Sequence, residues 1–308
     1  MTTIRLPPRI ITSGDSYIMS PKNDFAFRLL FGDERNSDLL ISLLNAILKE
    51  RIKSITIKDP HLLRAFFEDK EGILDVRAVT DAGVLIDIEI QLTDYSGMPE
   101  RILFYWSKMF TSQLSPGDLY HDLKKTISVV ILDYVCIPTS GFHSCFHLSD
   151  QEQCVTLTEV LEVHILELPK LDYLTEQDKD NPLAQWMQFI NASTVEELNM
   201  ISEANPVIQK AYKKLEVLSQ DDETRKVYEA REAALLDRAL MLHSAEKAGL
   251  EKGIVIGKEE GIAIGTEKGI GLVAANLISL GYDDAMVAKV TGLDSDAIKK
   301  IRESSGSG

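Results

Sequence analysis

From Val84 to Leu92 apolar and polar residues alternate without a break. Ile86, Ile88 and Ile90 fall on one face, and Asp87, Glu89 and Gln91 on the other. A period of two predicts a half-buried strand. Asp75 to Val79 reads as its hairpin partner, joined through Asp81-Ala82-Gly83, where Gly is available for positive φ. Helical spacing precedes the hairpin. Ser20 reads as an N-cap before Pro21, with Phe25, Leu29 and Leu30 as an apolar stripe. Ser37 to Glu50 carries Leu39, Leu40, Leu43, Leu44 and Ile47 on one face, and Ile52 to Ile57 alternates as a short strand. After the hairpin, Pro99 to Gln113 presents Ile102, Tyr105, Trp106 and Met109 at helical spacing. The run TISVVILDYVCI predicts a strand buried on both faces, followed by strands at Cys145–Leu148 and Leu161–Leu168. Helices, a hairpin, a crossover helix and a buried strand make a mixed α/β domain over 20–170, after an arm at 1–19.

Beyond Asn181 the pattern is helical almost throughout: Trp186–Asn191, Thr194–Ser202, Pro206–Ser219 and Asp221–Ala248, within a helical region over 171–248. Gly249, Gly253, Gly257, Gly261, Gly265 and Gly269 then recur every fourth residue. Each costs a helix roughly 1 kcal/mol relative to Ala. Steps of four place them on one slowly drifting stripe, which a second helix could approach closely. The segment 249–272 is therefore expected to self-associate or bind a partner helix. Charges at Glu251, Lys252, Lys258, Glu259, Glu260, Glu267 and Lys268 interrupt its apolar triplets and argue against a membrane span. Two short helices over 273–303, joined at Thr291-Gly292-Leu293, resemble a helix-turn-helix, though mixed charge favours a capping role over DNA reading. A short flexible tail, 304–308, closes the chain.

Composition narrows the setting. The chain of 308 residues is 44% hydrophobic, enough for a sizeable core and roughly two domains. No uninterrupted apolar run of about 18 residues is present. The first 20 residues lack a signal-peptide core, and three cysteines do not make a disulfide framework, so a cytoplasmic location is expected. A net charge of −15 counts against a nucleic-acid partner, although net charge does not describe a local surface.

Acids on adjacent strands repel unless something positive lies between them. Asp75 and Glu89 are 14 residues apart, room for two short strands and a turn. The residues alone leave two readings level: a Mg²⁺ site, which needs only one or two carboxylates, or an ordinary solvated face. PKNDFAFRLLFG, LLNAILKE, LDVRAVTDAG, IDIEIQL, the Arg101 to Gln113 segment and YHDLKKTISVVILDY together resemble the Rpn family of recombination-promoting nucleases, which also carries a transposase label. Asp75 followed by Glu89-x-Gln91 is similar to the core of the wider PD-(D/E)xK nuclease superfamily. The resemblance covers about Ser20 to Lys170, and the glycine repeat also fits the family.

The resemblance implies a restriction-endonuclease-like α/β core and a metal-dependent DNA endonuclease of low sequence preference. Asp75, Glu89 and the backbone carbonyl of Ile90 would hold Mg²⁺, with Mn²⁺ as substitute. Gln91 stands where the superfamily has Lys, as in the Rpn pattern itself. It can orient water but carries no charge. Asp24 is either an extra site acid or a first-turn acid favoured by the helix dipole. Asp87 is either a supporting acid or simply wet. Lys22, Arg28 and Arg101 could meet phosphates or lie on solvated helix surface. The alternative for the whole protein is a catalytically weak module on the same fold, acting through oligomerisation or partner binding. His143, Cys145 and His147 share one face of a predicted strand. Zinc accepts such ligands, but neighbours on one strand rarely close a tetrahedral site unaided, so a structural strand is expected there.

Overall fold

The computed structural model describes residues 11–13, 16–48, 51–62, 72–73, 75–94, 97–175, 178 and 180–305. Most of the N-terminal arm, the last turn expected of the helix at 37–50 and the end of the tail lie outside them. The chain forms two units, residues 1–239 and 240–308.

In chain order the first unit contains β1 (Ile11–Ser13), β2 (Ser16–Ile18), α1 (Asp24–Phe31), α2 (Ser37–Leu48), β3 (Ile55–Lys58), β4 (His61–Leu62), β5 (Gly72–Ile73), β6 (Val76–Thr80), β7 (Leu85–Gln91), α3 (Met98–Thr111), β8 (Thr126–Leu132), β9 (His143–Ser149), β10 (Thr156–Glu167), α4 (Pro182–Asn191), α5 (Val195–Ala204), α6 (Pro206–Gln220) and the start of α7 (Asp222–Ser279). Six strands form one mixed sheet in the order β3-β6-β7-β8-β10-β9. The central pairs β7/β8 and β8/β10 are parallel, and the outer pairs are antiparallel. Every residue of β8 is buried, as its mostly β-branched run demands, with the polar Thr126 and Ser128 among them.

The isoleucines of β7 point into a core shared with α1, α2, α4 and α6: Ile86, Ile88 and Ile90 join Phe27, Leu40, Leu44, Trp186 and Leu215. The opposite face of β8 and β10 packs Val130, Leu132, Val163 and Ile165 against Met98 and Ile102 of α3. Polar pins tie α6 and α7 to the segment just before α1. The Met19 N–H donates to Ser219 Oγ at 3.0 Å, and the Ser20 N–H to the Tyr228 hydroxyl at 3.1 Å. The sheet, α4, α5, α6 and the start of α7 thus share one core.

One helix start differs from expectation. Asn23, not Ser20, caps α1: its side chain accepts from the Phe25 N–H at 2.9 Å. Ser20 Oγ instead accepts the Lys22 N–H at 3.4 Å within a turn, which makes Asp24 the first helical residue.

The second unit holds the rest of α7 with α8 (Asp284–Thr291) and α9 (Ser295–Ser305). Ala274, Ile278, Val287 and Ile298 form its small core. Gly281 and Gly292 break the helices at φ of +85° and +73°, where an L side chain would be strained. The glycine ladder is helical from end to end. A Cβ added at any of Gly249, Gly253, Gly257, Gly261, Gly265 or Gly269 would meet nothing within 4 Å. By length and composition alone α7 is long and apolar enough to cross a bilayer.

Candidate active site

The β6/β7 register opposes Val76 to Ile88, so Asp75, one residue earlier, faces Glu89. Asp75 Oδ2 accepts the Ile90 N–H at 2.8 Å. The Leu85 N–H donates to the Lys125 carbonyl and the Gln91 carbonyl accepts the Asp133 N–H, so odd-numbered residues of β7 face β8. The backbone groups of Ile90 therefore face the other way, toward Asp75.

Glu89 is 4% exposed, and its Oε1 has no hydrogen-bond partner among the described residues. Its Oε2 accepts the Gln91 amide at 3.4 Å and lies 3.8 Å from Arg101 Nη2. Burial raises the Asp75 carboxyl to about 7, helped by the charges of Asp24 and Glu89 and opposed by the Ile90 N–H. Burial likewise raises Glu89 to about 7, with Asp87 adding and Arg101 opposing. An orphaned carboxylate oxygen, a second acid opposite it and an adjacent backbone carbonyl are hard oxygen donors, and together they fit a divalent cation.

Asp87 is on the same face but is not wet. It is 2% exposed, accepts the Ser128 hydroxyl at 2.6 Å, and burial raises it to about 7. It underpins the sheet behind Glu89. Lys22 also departs from a phosphate role, because it pairs with Asp133 at 2.9 Å, with both side chains mostly buried.

Asp24, Asp75, Ile90 and Gln91 line a cleft of about 340 Å³, together with Arg28, Arg101, Arg231 and Arg238. Asp24 is held by Arg231, whose Nε lies 3.0 and 2.9 Å from its two oxygens. The sequence reading missed Arg231, Leu235 and Arg238, the face that α7 presents to the cleft. Their spacing of four and three is the only signal they leave, and it is buried in an acidic helix. Four arginines gather here against Asp24, Asp75 and the adjoining Glu89, so the local balance is less acidic than the net charge of −15. Net charge therefore does not describe the surroundings of this cleft.

Residues 21–245 match the family model described as PD-(D/E)XK nuclease family transposase. Neither the curated proteins nor the solved structures gave a match. A match over nearly three quarters of the chain, ending within α7 just past Arg238, makes this chain a member of the PD-(D/E)XK nuclease family transposases.

Proposed function

We propose that the protein is a divalent-metal-dependent DNA endonuclease of low sequence specificity, which promotes recombination or acts on foreign DNA. Family membership supports nuclease- or transposase-like chemistry on a phosphodiester. The observation that carries the reading is Asp75 facing Glu89, with its unpartnered Oε1, beside an arginine-lined cleft. Asp75, Glu89 and the Ile90 carbonyl would hold Mg²⁺, or Mn²⁺ in its place. Such an ion supplies Lewis-acid activation and charge neutralisation at the scissile phosphate. The chain's own groups bind and orient. Arg28, Arg101 and Arg238 offer bidentate donors to phosphate oxygens, contacts that carry no base information. Gln91 can orient a water through its amide.

A second reading, a catalytically weak module that works through association, draws support from the uncharged Gln91 and from Asp24 already paired with Arg231. In either case the exposed ladder of α7 is the proposed self-association surface. Its charged residues, recurring every seven or eight positions, favour water or a partner helix over lipid. Supercoiled plasmid incubated with Mg²⁺ or Mn²⁺ separates the readings. The endonuclease nicks it and Asp75→Ala does not. A wild-type chain inert with both metals leaves only the module.

A further inference from the structure

The opposite face of the sheet carries a second cluster. In the parallel registers Glu162 lies beside Ile127 and Ile127 beside Ile86, so Glu162 and His164 share the face of the β7 isoleucines and not that of Glu89. Across the edge pair, Cys145 of β9 stands directly opposite His164 of β10. One ligand atom from each of Cys145, Glu162 and His164 lies within 4.8 Å of the others.

The distances suit a tetrahedral ion. Cys145 Sγ is 3.8 Å from His164 Nε2 and 3.3 Å from His147 Nε2. Zinc bonds of about 2.3 Å to sulfur and about 2.0 Å to nitrogen hold two such ligands roughly 3.6 Å apart. Glu162 Oε1 is 2.5 Å from the same His164 nitrogen, a hydrogen bond that an ion would replace. The outer atoms are already engaged. His164 Nδ1 contacts His143 Nε2 at 2.8 Å, and Glu162 Oε2 pairs with Lys125 at 2.7 Å. Metal-binding imidazoles and carboxylates are held in this way, with the far atom bonded so that the near one is aimed. Burial is graded as well. His164 and Glu162 are 3% and 7% exposed, whereas Cys145 and His147 lie at the surface, giving an ion a way in.

Catalysis by the thiol is the competing use. Burial and the neighbouring Glu162 charge push the Cys145 thiol up, which disfavours a free thiolate, and a bound cation would have to displace the proton. We propose that Cys145, His147, Glu162 and His164 form a closed Zn²⁺ site that clasps the edge strand β9 onto β10. No single strand closes this site. β9 contributes two ligands and β10 the other two.

The test uses the full chain carrying Asp75→Ala, so that the nuclease acids do not contribute. After chelation it is titrated with Co²⁺ as a spectroscopic probe and, separately, dialysed against Zn²⁺. The expected result is one ion per chain and a thiolate-to-cobalt charge-transfer band. Cys145→Ser, at an exposed position, removes the band. His143→Phe keeps the band but weakens affinity by about ten- to a hundredfold, through loss of the support behind His164. Zinc binding that is substoichiometric, or that Cys145→Ser leaves unchanged, overturns the proposal. Circular dichroism of each metal-free variant confirms that the fold is retained.

Discussion

At the scale of single residues, three acids decide how the protein responds to pH. Asp75, Asp87 and Glu89 are each raised to about 7 in the folded chain, chiefly by burial. Between about 4, where unfolded carboxylates titrate, and about 7, the folded state binds more protons than the unfolded state. Stability without metal therefore falls as pH rises through this window. We expect a melting temperature higher at pH 5.5 than at pH 8 in EDTA. Mg²⁺ bound at the proposed site would replace the protons, so its stabilising effect should be larger at pH 8 than at pH 5.5. Asp75→Asn should remove most of that metal effect, whereas Asp87→Asn should flatten the pH dependence and leave the metal effect in place. Calorimetry of the three chains checks this, and equal metal responses in all of them would exclude Asp75 as a ligand. Gln91 gives a second residue-scale prediction. Its amide lies 3.4 Å from Glu89 Oε2, so Gln91→Lys would set a cation beside that carboxylate. The acid limb of the pH–rate profile should move to lower pH, with faster single-turnover cleavage. The arrangement of Asp75, Glu89 and Gln91 was legible because strand alternation and the hairpin fix which side chains share a face. That of Asp87 was not: alternation cannot tell a wet acid from one capped by Ser128, 41 residues away.

At the scale of elements, what could be read depended on whether local pattern or distant packing set the boundary. The buried run of β8 and the glycine ladder were plain. The full length of α7 was not. The expected segments divided it at Ala248 and again at 272, whereas it runs unbroken from Asp222 to Ser279, because each glycine costs only about 1 kcal/mol, too little to end a helix. β10 also extends further back than its apolar pattern, beginning at Thr156 where the residues are exposed and polar. Its pairing with β9, interrupted by register shifts between Thr156 and Val163, sets that start. The ladder carries its own prediction. In a single copy an added Cβ at Gly253, Gly257 or Gly261 meets nothing within 4 Å. Each Gly→Ala change should then raise helix stability by about 1 kcal/mol in the dissociated chain. If a second helix packs on the stripe, the same methyl groups push it away. The triple variant should show less association in sedimentation velocity, together with a higher melting temperature at low concentration. A triple variant that associates as well as the parent would rule out close backbone contact along the ladder, and flotation with vesicles would shift the surface to lipid.

At the scale of the whole molecule, overall charge does not describe the surroundings of the cleft, and the cleft decides. Composition described an acidic protein of net charge −15. Folding gathers arginines from α1, α3 and α7 around Asp75, although Arg28 and Arg238 are some 210 positions apart. No periodicity rule reaches that distance, so the third wall of the cleft was invisible before the fold. DNA near the cleft meets local positive charge while the remaining surface repels it, which favours binding confined to one groove. The salt dependence of binding should report this directly. Each phosphate neutralised adds about 0.9 to the slope of log K against log salt. Arg28→Gln and Arg238→Gln should each reduce that slope by about one unit. They should weaken binding to unrelated duplexes by the same factor, because phosphate contacts carry no sequence. Fluorescence anisotropy with Ca²⁺ in place of Mg²⁺ and two duplexes of different sequence supplies the measurement. An unchanged slope would move DNA out of this cleft. A loss that differs between the duplexes would mean that these arginines read bases and that the endonuclease is sequence-selective.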